Sequence, residues 1–199
     1  EELLREFHEG IIASSACLAG EVARNIVRDD LAAADKAALK YLDIFGEGNF
    51  FLELHDHGYE DQQKVNMALM SMSRRLRIPL IATNDIHYTY ADDVEAHDIL
   101  LCIQTGKKLS DENRMRYPGG QFFVKSEMEM RALFPYAQEA LDNTHRIAER
   151  CNVEFEFGHL QLLTKHGDGF ILRIDLILAH SVKNPLCGRI VSFQHITKS

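Results

Sequence analysis

Apolar and amphipathic segments alternate along the first half of the chain. Residues 10–20 begin as a short apolar strand and end in small residues, residues 50–55 form an aromatic-rich strand, and residues 79–82 open a third. Between the strands, helical periodicity predicts helices over residues 30–46 and 60–77. Strands that alternate with helices indicate an α/β fold with a mostly parallel sheet and short crossovers.

The helix from residue 30 is predicted to be capped by Asp29 or Asp30 and to stop at Gly46. The buried face of this first helix is predicted to consist of Leu31, Ala34, Ala38, Leu39 and Leu42. The buried face of the second helix is predicted to consist of Val65, Leu69, Met72 and Leu76.

The second half predicts further helices. They cover residues 92–104, 126–134, where Ser126 and Glu129 form a capping box, and 138–151. Residues 107–120 indicate an exposed loop, and residues 121–125 and 153–157 indicate extended segments.

Polar side chains follow the three predicted strands where each one ends. They are Cys17, His57, and the pair Asp85 and His87. In parallel sheets ligands gather at the carboxyl ends of the strands, and two residues separated by one in an extended chain point the same way. This predicts a metal-binding arm at Asp85 and His87. The alternative is that Asp85 caps the helix near residue 92 and His87 packs in a loop, and for an isolated Asp-x-His pair that alternative is the commoner one.

Composition narrows the classes of function. The 199 residues carry a net charge of −8, which argues against a free-standing nucleic-acid binder, so a contact with DNA would be local or metal-mediated. The four cysteines have no C-x-x-C spacing and indicate reduced thiols in the cytosol. No apolar run predicts a membrane span, and the acidic start does not resemble a signal peptide. The chain starts without methionine inside an apparent helix, so we expect a fragment.

The character of the chain changes after Leu163. Net charge is −11 up to that residue and +3 from Thr164 onward. The apolar runs of this tail commit to neither helix nor strand, and its three histidines lack metal-ligand spacing.

Six sequence blocks along the chain are distinctive: SACLAGE (15–21), ELHDHG (53–58), ATNDIHY (82–88), EAHDILLCIQTG (95–106), EALDNT (139–144) and IAERCNV (147–153). Together they closely resemble the alpha subunit family of bacterial DNA polymerase III, the C-family replicative polymerases. They lie in the later part of the polymerase and histidinol phosphatase (PHP) domain and its link to the palm. The resemblance implies a fragment of a distorted seven-stranded (β/α) PHP barrel with a metal cluster at the strand ends.

Within that family the matching positions imply that Cys17, Asp85 and His87 are metal ligands, for zinc or manganese, and that His57 lies nearby as a second-shell or substrate contact. The resemblance further implies a DNA-directed DNA polymerase as the parent protein, with a metal-dependent 3′–5′ exonuclease in the PHP domain. It implies magnesium at the polymerase site of the parent protein. The implied partners are DNA, deoxynucleotides, a proofreading exonuclease subunit and the sliding clamp, and the implied location is the cytoplasm.

Two departures from the family shape the expected domain organisation. The strands that supply an H-x-H pair would lie before Glu1, and residues 164–199 do not resemble the palm, as a frameshift or misjoined frame would explain. We therefore expect residues 1–137 to be the later part of a PHP domain, 138–163 a helical link, and 164–199 an unmatched tail, with the fragment alone inactive. The alternatives are a stand-alone PHP phosphoesterase and a non-catalytic module that docks replication subunits.

Overall fold

The computed structural model describes residues 1–152, so the predicted extended segment at 153–157 and the tail from residue 164 lie outside the described residues. The strands are β1 (Ala13–Ser14), β2 (Phe50–Leu54) and β3 (Leu80–Ala82). The helices are α1 (Glu2–Glu6), α2 (Glu21–Val27), α3 (Leu31–Phe45), α4 (Glu60–Leu76), α5 (Val94–Thr105), α6 (Glu127–Leu133) and α7 (Gln138–Arg150), with a 3₁₀ turn at Ala91–Asp93.

The strands form a parallel sheet in the order β1-β2-β3. Ala13 pairs with Phe50, and Leu52 pairs with Leu80. Helices connect the strands in sequence, as the alternating pattern predicted, and this mixed α/β arrangement is consistent with a fragment of a PHP barrel. None of the helices in residues 1–152 combines the length and apolar character needed to cross a bilayer.

Strand β2 is buried on both faces because helices and neighbouring strands enclose it. One face carries Phe50, Leu52 and Leu54, which join the main core together with α2, α3 and α4. The other face carries Phe51, which packs with Ile81 of β3 and with α7. All five residues of the strand are buried, which makes β2 the centre of the described fold.

Most predicted helices are confirmed, including their start signals. Asp30 caps α3 by accepting from the Ala33 amide at 2.9 Å, and Ser126 and Glu129 form the capping box of α6. The predicted face of α3 is partly wrong, since Leu31 and Leu39 are 52% and 45% exposed. Ala34 and Ala38 are buried as predicted, and Leu42 packs partly buried against the core. Ala37 is buried beside them, because small side chains allow the close approach of α2 and α3.

Two local predictions differ from the structure. Helix α2 is missed because its N-cap is Gly20, which provides no side-chain cap. The strand expected at residues 121–125 is wrong, since the segment makes only separate backbone hydrogen bonds, such as His87 N–H to the Phe122 carbonyl at 2.8 Å. It is a loop that lies against the end of the sheet.

Candidate metal centre

A buried polar layer crosses the sheet face opposite α2–α4. Strand alternation places Glu53 on the same face as Phe51, where its side chain is 2% exposed. Glu53 Oε2 accepts a hydrogen bond from the Ser14 hydroxyl, and Oε1 accepts from the Thr83 hydroxyl. Three consecutive segments of the fold therefore meet on one carboxylate.

His55 lies directly above that layer, one residue past the end of β2. Its Nε2 is 2.9 Å from Glu53 Oε1 and 2.6 Å from Thr83 Oγ1. Burial disfavours both charges, but the contact with His55 outweighs it and lowers the pKa of Glu53. Burial likewise acts to lower the pKa of His55, and the Glu53 carboxylate more than compensates and raises it.

Cys17 is presented by a tight turn between β1 and α2. Ala16 has a φ of +61°, and a Cβ on Gly20 would lie 2.3 Å from the Ser15 carbonyl oxygen, so this turn requires glycine at position 20. Burial raises the pKa of the Cys17 thiol, and the Asp85 and Glu53 carboxylates raise it further. A thiol in such negative surroundings ionises more readily when a cation is bound.

Asp85 and His87 lie beyond β3, which ends at Ala82. The period-of-two argument for this pair is wrong, because Asp85 has a φ of +41° and is not extended. The bent chain nevertheless brings Asp85 Oδ1 within 3.5 Å of His87 Nε2. That separation exceeds hydrogen-bond length, and the buried His87 Nε2 has no hydrogen-bond partner within residues 1–152. The capping alternative also fails, because Asp93 caps the turn by accepting from the Tyr90 amide.

The charge of Asp85 is supported by its histidine neighbours. Burial alone would raise the pKa of the carboxyl, but His87, His55 and His57 outweigh it and hold the pKa below its ordinary value. The Asp85 carboxyl is thus stabilised as an anion, and the imidazole in contact with it is that of His87.

An aromatic wall surrounds His87. Its ring centroid lies 4.2 Å from that of Tyr117, 5.4 Å from His97 and 5.5 Å from Phe122. Tyr117 belongs to the loop predicted to be exposed, and Arg114 of that loop is in fact anchored on α5, with its side chain 4% exposed in a pair with Asp98. The loop is therefore fixed against the site.

His57 has no free ring nitrogen. Its Nε2 donates to the Asn84 carbonyl at 2.9 Å, and Nδ1 accepts from the Gln62 amide at 2.8 Å. The residue thus holds the backbone immediately before Asp85, and both of its ring nitrogens are already engaged within the protein.

The donor set of Cys17, Asp85 and His87 is chemically suited to zinc, since thiolate, carboxylate and imidazole are its usual ligands. Among the described residues, His87 Nε2 has no hydrogen-bond partner, and a metal ion bound to this nitrogen would satisfy it. Within residues 1–152, however, no three His, Cys, Asp or Glu side chains converge closely enough to hold an ion by themselves. Completing a site requires side-chain movement or ligands from outside the described residues.

Sequence reasoning missed Glu53 and His55. Their signal is the alternation Phe51, Glu53, His55 on one face of an otherwise apolar strand, where a buried carboxylate calls for a partner.

A family model described as the PHP domain matches residues 1–57, which include Cys17, Glu53, His55 and His57. Among curated proteins, the chain is 44% identical over 153 residues to "DNA polymerase III subunit alpha" of Treponema pallidum, covering 77% of this chain and 13% of the relative. It is 40% identical over 169 residues to the protein of that name in Campylobacter jejuni, with coverages of 80% and 14%. For Deinococcus radiodurans the identity is 43% over 160 residues, with coverages of 79% and 12%. The chain thus spans about an eighth of the length of these relatives.

Proposed function

Because this chain is related to the alpha subunits of bacterial DNA polymerase III and carries part of a PHP domain, we propose that it is a segment of such a subunit, whose full-length form catalyses DNA-directed DNA synthesis in chromosome replication. The observation that supports this is identity of 40–44% to subunits from three organisms over more than three quarters of the chain. The proposal includes DNA, deoxynucleotides, magnesium at the polymerase site, other replication subunits as partners and a cytoplasmic location.

The segment contributes a metal centre to that protein. Cys17, Asp85 and His87 are its ligands, and zinc or manganese is its ion. A bound divalent ion supplies an activated water for attack on a phosphodiester, which is the chemistry of a 3′–5′ exonuclease. Asp85 contributes negative charge, Cys17 and His87 supply softer donors, and His57 fixes the carbonyl of Asn84 and thereby the start of the Asp85 segment.

A variant pair tests the centre in the full polypeptide that carries residues 1–199. Asp85→Asn removes the charge and retains a side chain that tolerates positive φ, and Asp92→Asn is the matched control on an exposed turn. Metal content is measured by mass spectrometry and nuclease activity on a 3′-labelled single strand. Asp85→Asn should lose metal and nuclease activity, while primer extension persists. Equal metal content and nuclease activity in both variants would contradict the metal centre, and absence of primer extension in the unmodified protein would contradict the polymerase assignment.

One observation favours a second role, a non-catalytic module that docks replication subunits. No three candidate ligands among the described residues converge on one point. If the segment is such a scaffold, neither the unmodified protein nor Asp85→Asn has nuclease activity. Asp85→Asn then also binds the replication subunits as the unmodified protein does.

A further inference from the structure

His55 carries a buried ring nitrogen that has no hydrogen-bond partner in the described part of the chain. The residue is 6% exposed, and its Nδ1 makes no hydrogen bond among the described residues. An unsatisfied buried polar atom costs about 1–3 kcal/mol, so this nitrogen calls for a partner such as a bound water or an ion. Nothing in the role proposed for Cys17, Asp85 and His87 uses this atom.

The contact made by the other ring nitrogen fixes which nitrogen of His55 carries the proton. Nε2 lies 2.9 Å from Glu53 Oε1, and both oxygens of this carboxylate act as acceptors, since they already receive the Ser14 and Thr83 hydroxyl protons. The proton therefore resides on Nε2, and in the neutral ring Nδ1 carries the lone pair. A carboxylate that holds one nitrogen of an imidazole while the other faces a ligand is the usual arrangement behind a metal-bound histidine.

The space beside His55 is suited to an ion and not to an organic molecule. A cleft lined by Cys17, Glu53, His55 and Asn66 has room for about one water-sized particle. The cleft offers a thiol, a carboxylate and an imidazole, donors that suit a divalent cation better than a phosphate group.

We propose that Glu53 and His55 form a carboxylate–histidine arm of the metal centre, in which Glu53 positions the ring and His55 Nδ1 is a further metal ligand beside Cys17. The inference rests on the proposed metal centre and extends it to β2, whose residues otherwise serve the core. The inference also explains the buried polar layer of Ser14, Glu53 and Thr83. The two hydroxyls donate hydrogen bonds to the Glu53 carboxylate and so hold in place the group that orients His55.

Zinc binding to the full polypeptide tests the arm. His55→Gln keeps an amide N–H near the position of Nε2 and deletes Nδ1, Glu53→Gln removes the orienting charge, and Cys17→Ser removes a ligand of the centre itself. His145→Gln, on the exposed side of α7, is the control. Affinity is measured by competition with a chromophoric chelator, coordination by the absorption spectrum of the cobalt form, and folding by thermal unfolding. We expect Glu53→Gln to weaken zinc binding by about 10–100-fold, as loss of an orienting partner does elsewhere. His55→Gln should weaken it by at least as much, because it removes the ligand itself, and His145→Gln should match the unmodified protein.

The outcomes separate this inference from the proposed function. If Cys17→Ser weakens zinc while folded His55→Gln binds it with the same affinity and cobalt spectrum, the centre stands and the His55 arm is wrong. If the unmodified protein binds no zinc, cobalt or manganese, both are wrong. Should either variant on β2 fail to fold, anomalous diffraction from zinc-soaked crystals of the unmodified protein decides. Zinc at about 2.0–2.1 Å from His55 Nδ1 supports the arm, and zinc bound elsewhere overturns it.

Discussion

The imidazole of His57 stacks on the ring of Phe122, with centroids 3.9 Å apart and an interplanar angle of 12°. The stack joins the end of β2 to the loop that precedes α6, 65 positions later in the numbering. Burial lowers the pKa of His57, so a neutral ring lies in this contact, with both nitrogens hydrogen-bonded. The histidine thus connects two walls of the candidate metal centre.

Replacing His57 by phenylalanine separates stacking from hydrogen bonding. The aromatic contact with Phe122 is retained, but the Gln62 amide and the Asn84 carbonyl lose their partner. We expect a loss of about 1–3 kcal/mol in the free energy of unfolding, measured by urea denaturation. The exposed His145→Phe is the control, and equal stability of the two variants would show that the hydrogen bonds contribute nothing.

The turn that presents Cys17 should be intolerant of any side chain at position 20. An alanine Cβ there meets the Ser15 carbonyl oxygen at 2.3 Å, so the backbone of the turn must shift. Gly20→Ala should cost about 2 kcal/mol or more. Gly48→Ala provides the comparison, because its φ is +76° with open space around it and only the backbone cost of about 1 kcal/mol applies. A smaller loss at position 20 than at position 48 would be inconsistent with the clash.

Stability should fall in acid partly through Glu21. Burial acts to raise the pKa of this carboxyl, but Lys40 and Tyr41 outweigh it and hold the pKa below its ordinary value. A carboxyl with a lowered folded-state pKa stabilises the protein above its unfolded pKa and loses that contribution as pH falls through the folded value. Urea midpoints between about pH 5 and pH 2 should therefore decline less steeply for Glu21→Gln than for the exposed control Glu95→Gln.

The loss of folding stability at alkaline pH should come from a different residue, Tyr41. Burial and the hydrogen bond to Glu21 raise the pKa of Tyr41 to about 12. The unfolded chain releases this proton near pH 10, so stability falls as the pH rises from about 10 toward 12. Tyr41→Phe should flatten this decline, and an unaltered decline would exclude Tyr41 as its source.

The capping box of α6 should contribute measurably to stability. Ser126 accepts from the Glu129 amide, and Glu129 accepts from the Ser126 amide at 2.7 Å. Ser126→Ala should reduce the free energy of unfolding by about 1 kcal/mol. Ser71→Ala, at an exposed position inside α4, should be neutral or stabilising, and a comparable loss there would contradict a capping effect.

The loop that carries Tyr117 should loosen when its anchor changes. Arg114 contacts both carboxylate oxygens of Asp98, with Nη2 at 2.6 Å from Oδ2, and lysine cannot reproduce this bidentate contact. Arg114→Lys should increase hydrogen exchange of backbone amides in residues 107–120. Arg116→Lys is the exposed control from the same loop, and equal exchange in the two variants would show that Asp98 does not fix it.

The sequence predicts the elements well wherever a local signal decides them. The cap at Asp30, the stop at Gly46 and the capping box at Ser126 are set by neighbouring residues, and the structure confirms them. The buried face of α3 is different, because its contact with α2 depends on a helix whose Gly20 cap leaves no side-chain signal.

The candidate site shows the same division. Cys17, Asp85 and His87 stand at strand ends and attract attention as donors, although their joint role as ligands stays a prediction. Glu53 and His55 lie inside the sequence of β2, and only pairing with β1 and β3 brings Ser14 and Thr83 to the carboxylate. Contacts between residues about 30–40 positions apart cannot be inferred from local periodicity.

The two outer strands of the sheet differ in how their backbones are satisfied. On β3, α7 supplies side chains in place of a further strand: Asn143 donates to the Leu80 carbonyl at 2.8 Å, and Thr144 bonds to both backbone groups of Ala82. On β1, no strand of residues 1–152 pairs with the side facing away from β2. Among the described residues, the free edge of the sheet is therefore the outer side of β1. In isolation, the same open edge is where copies of this segment would self-associate by backbone pairing.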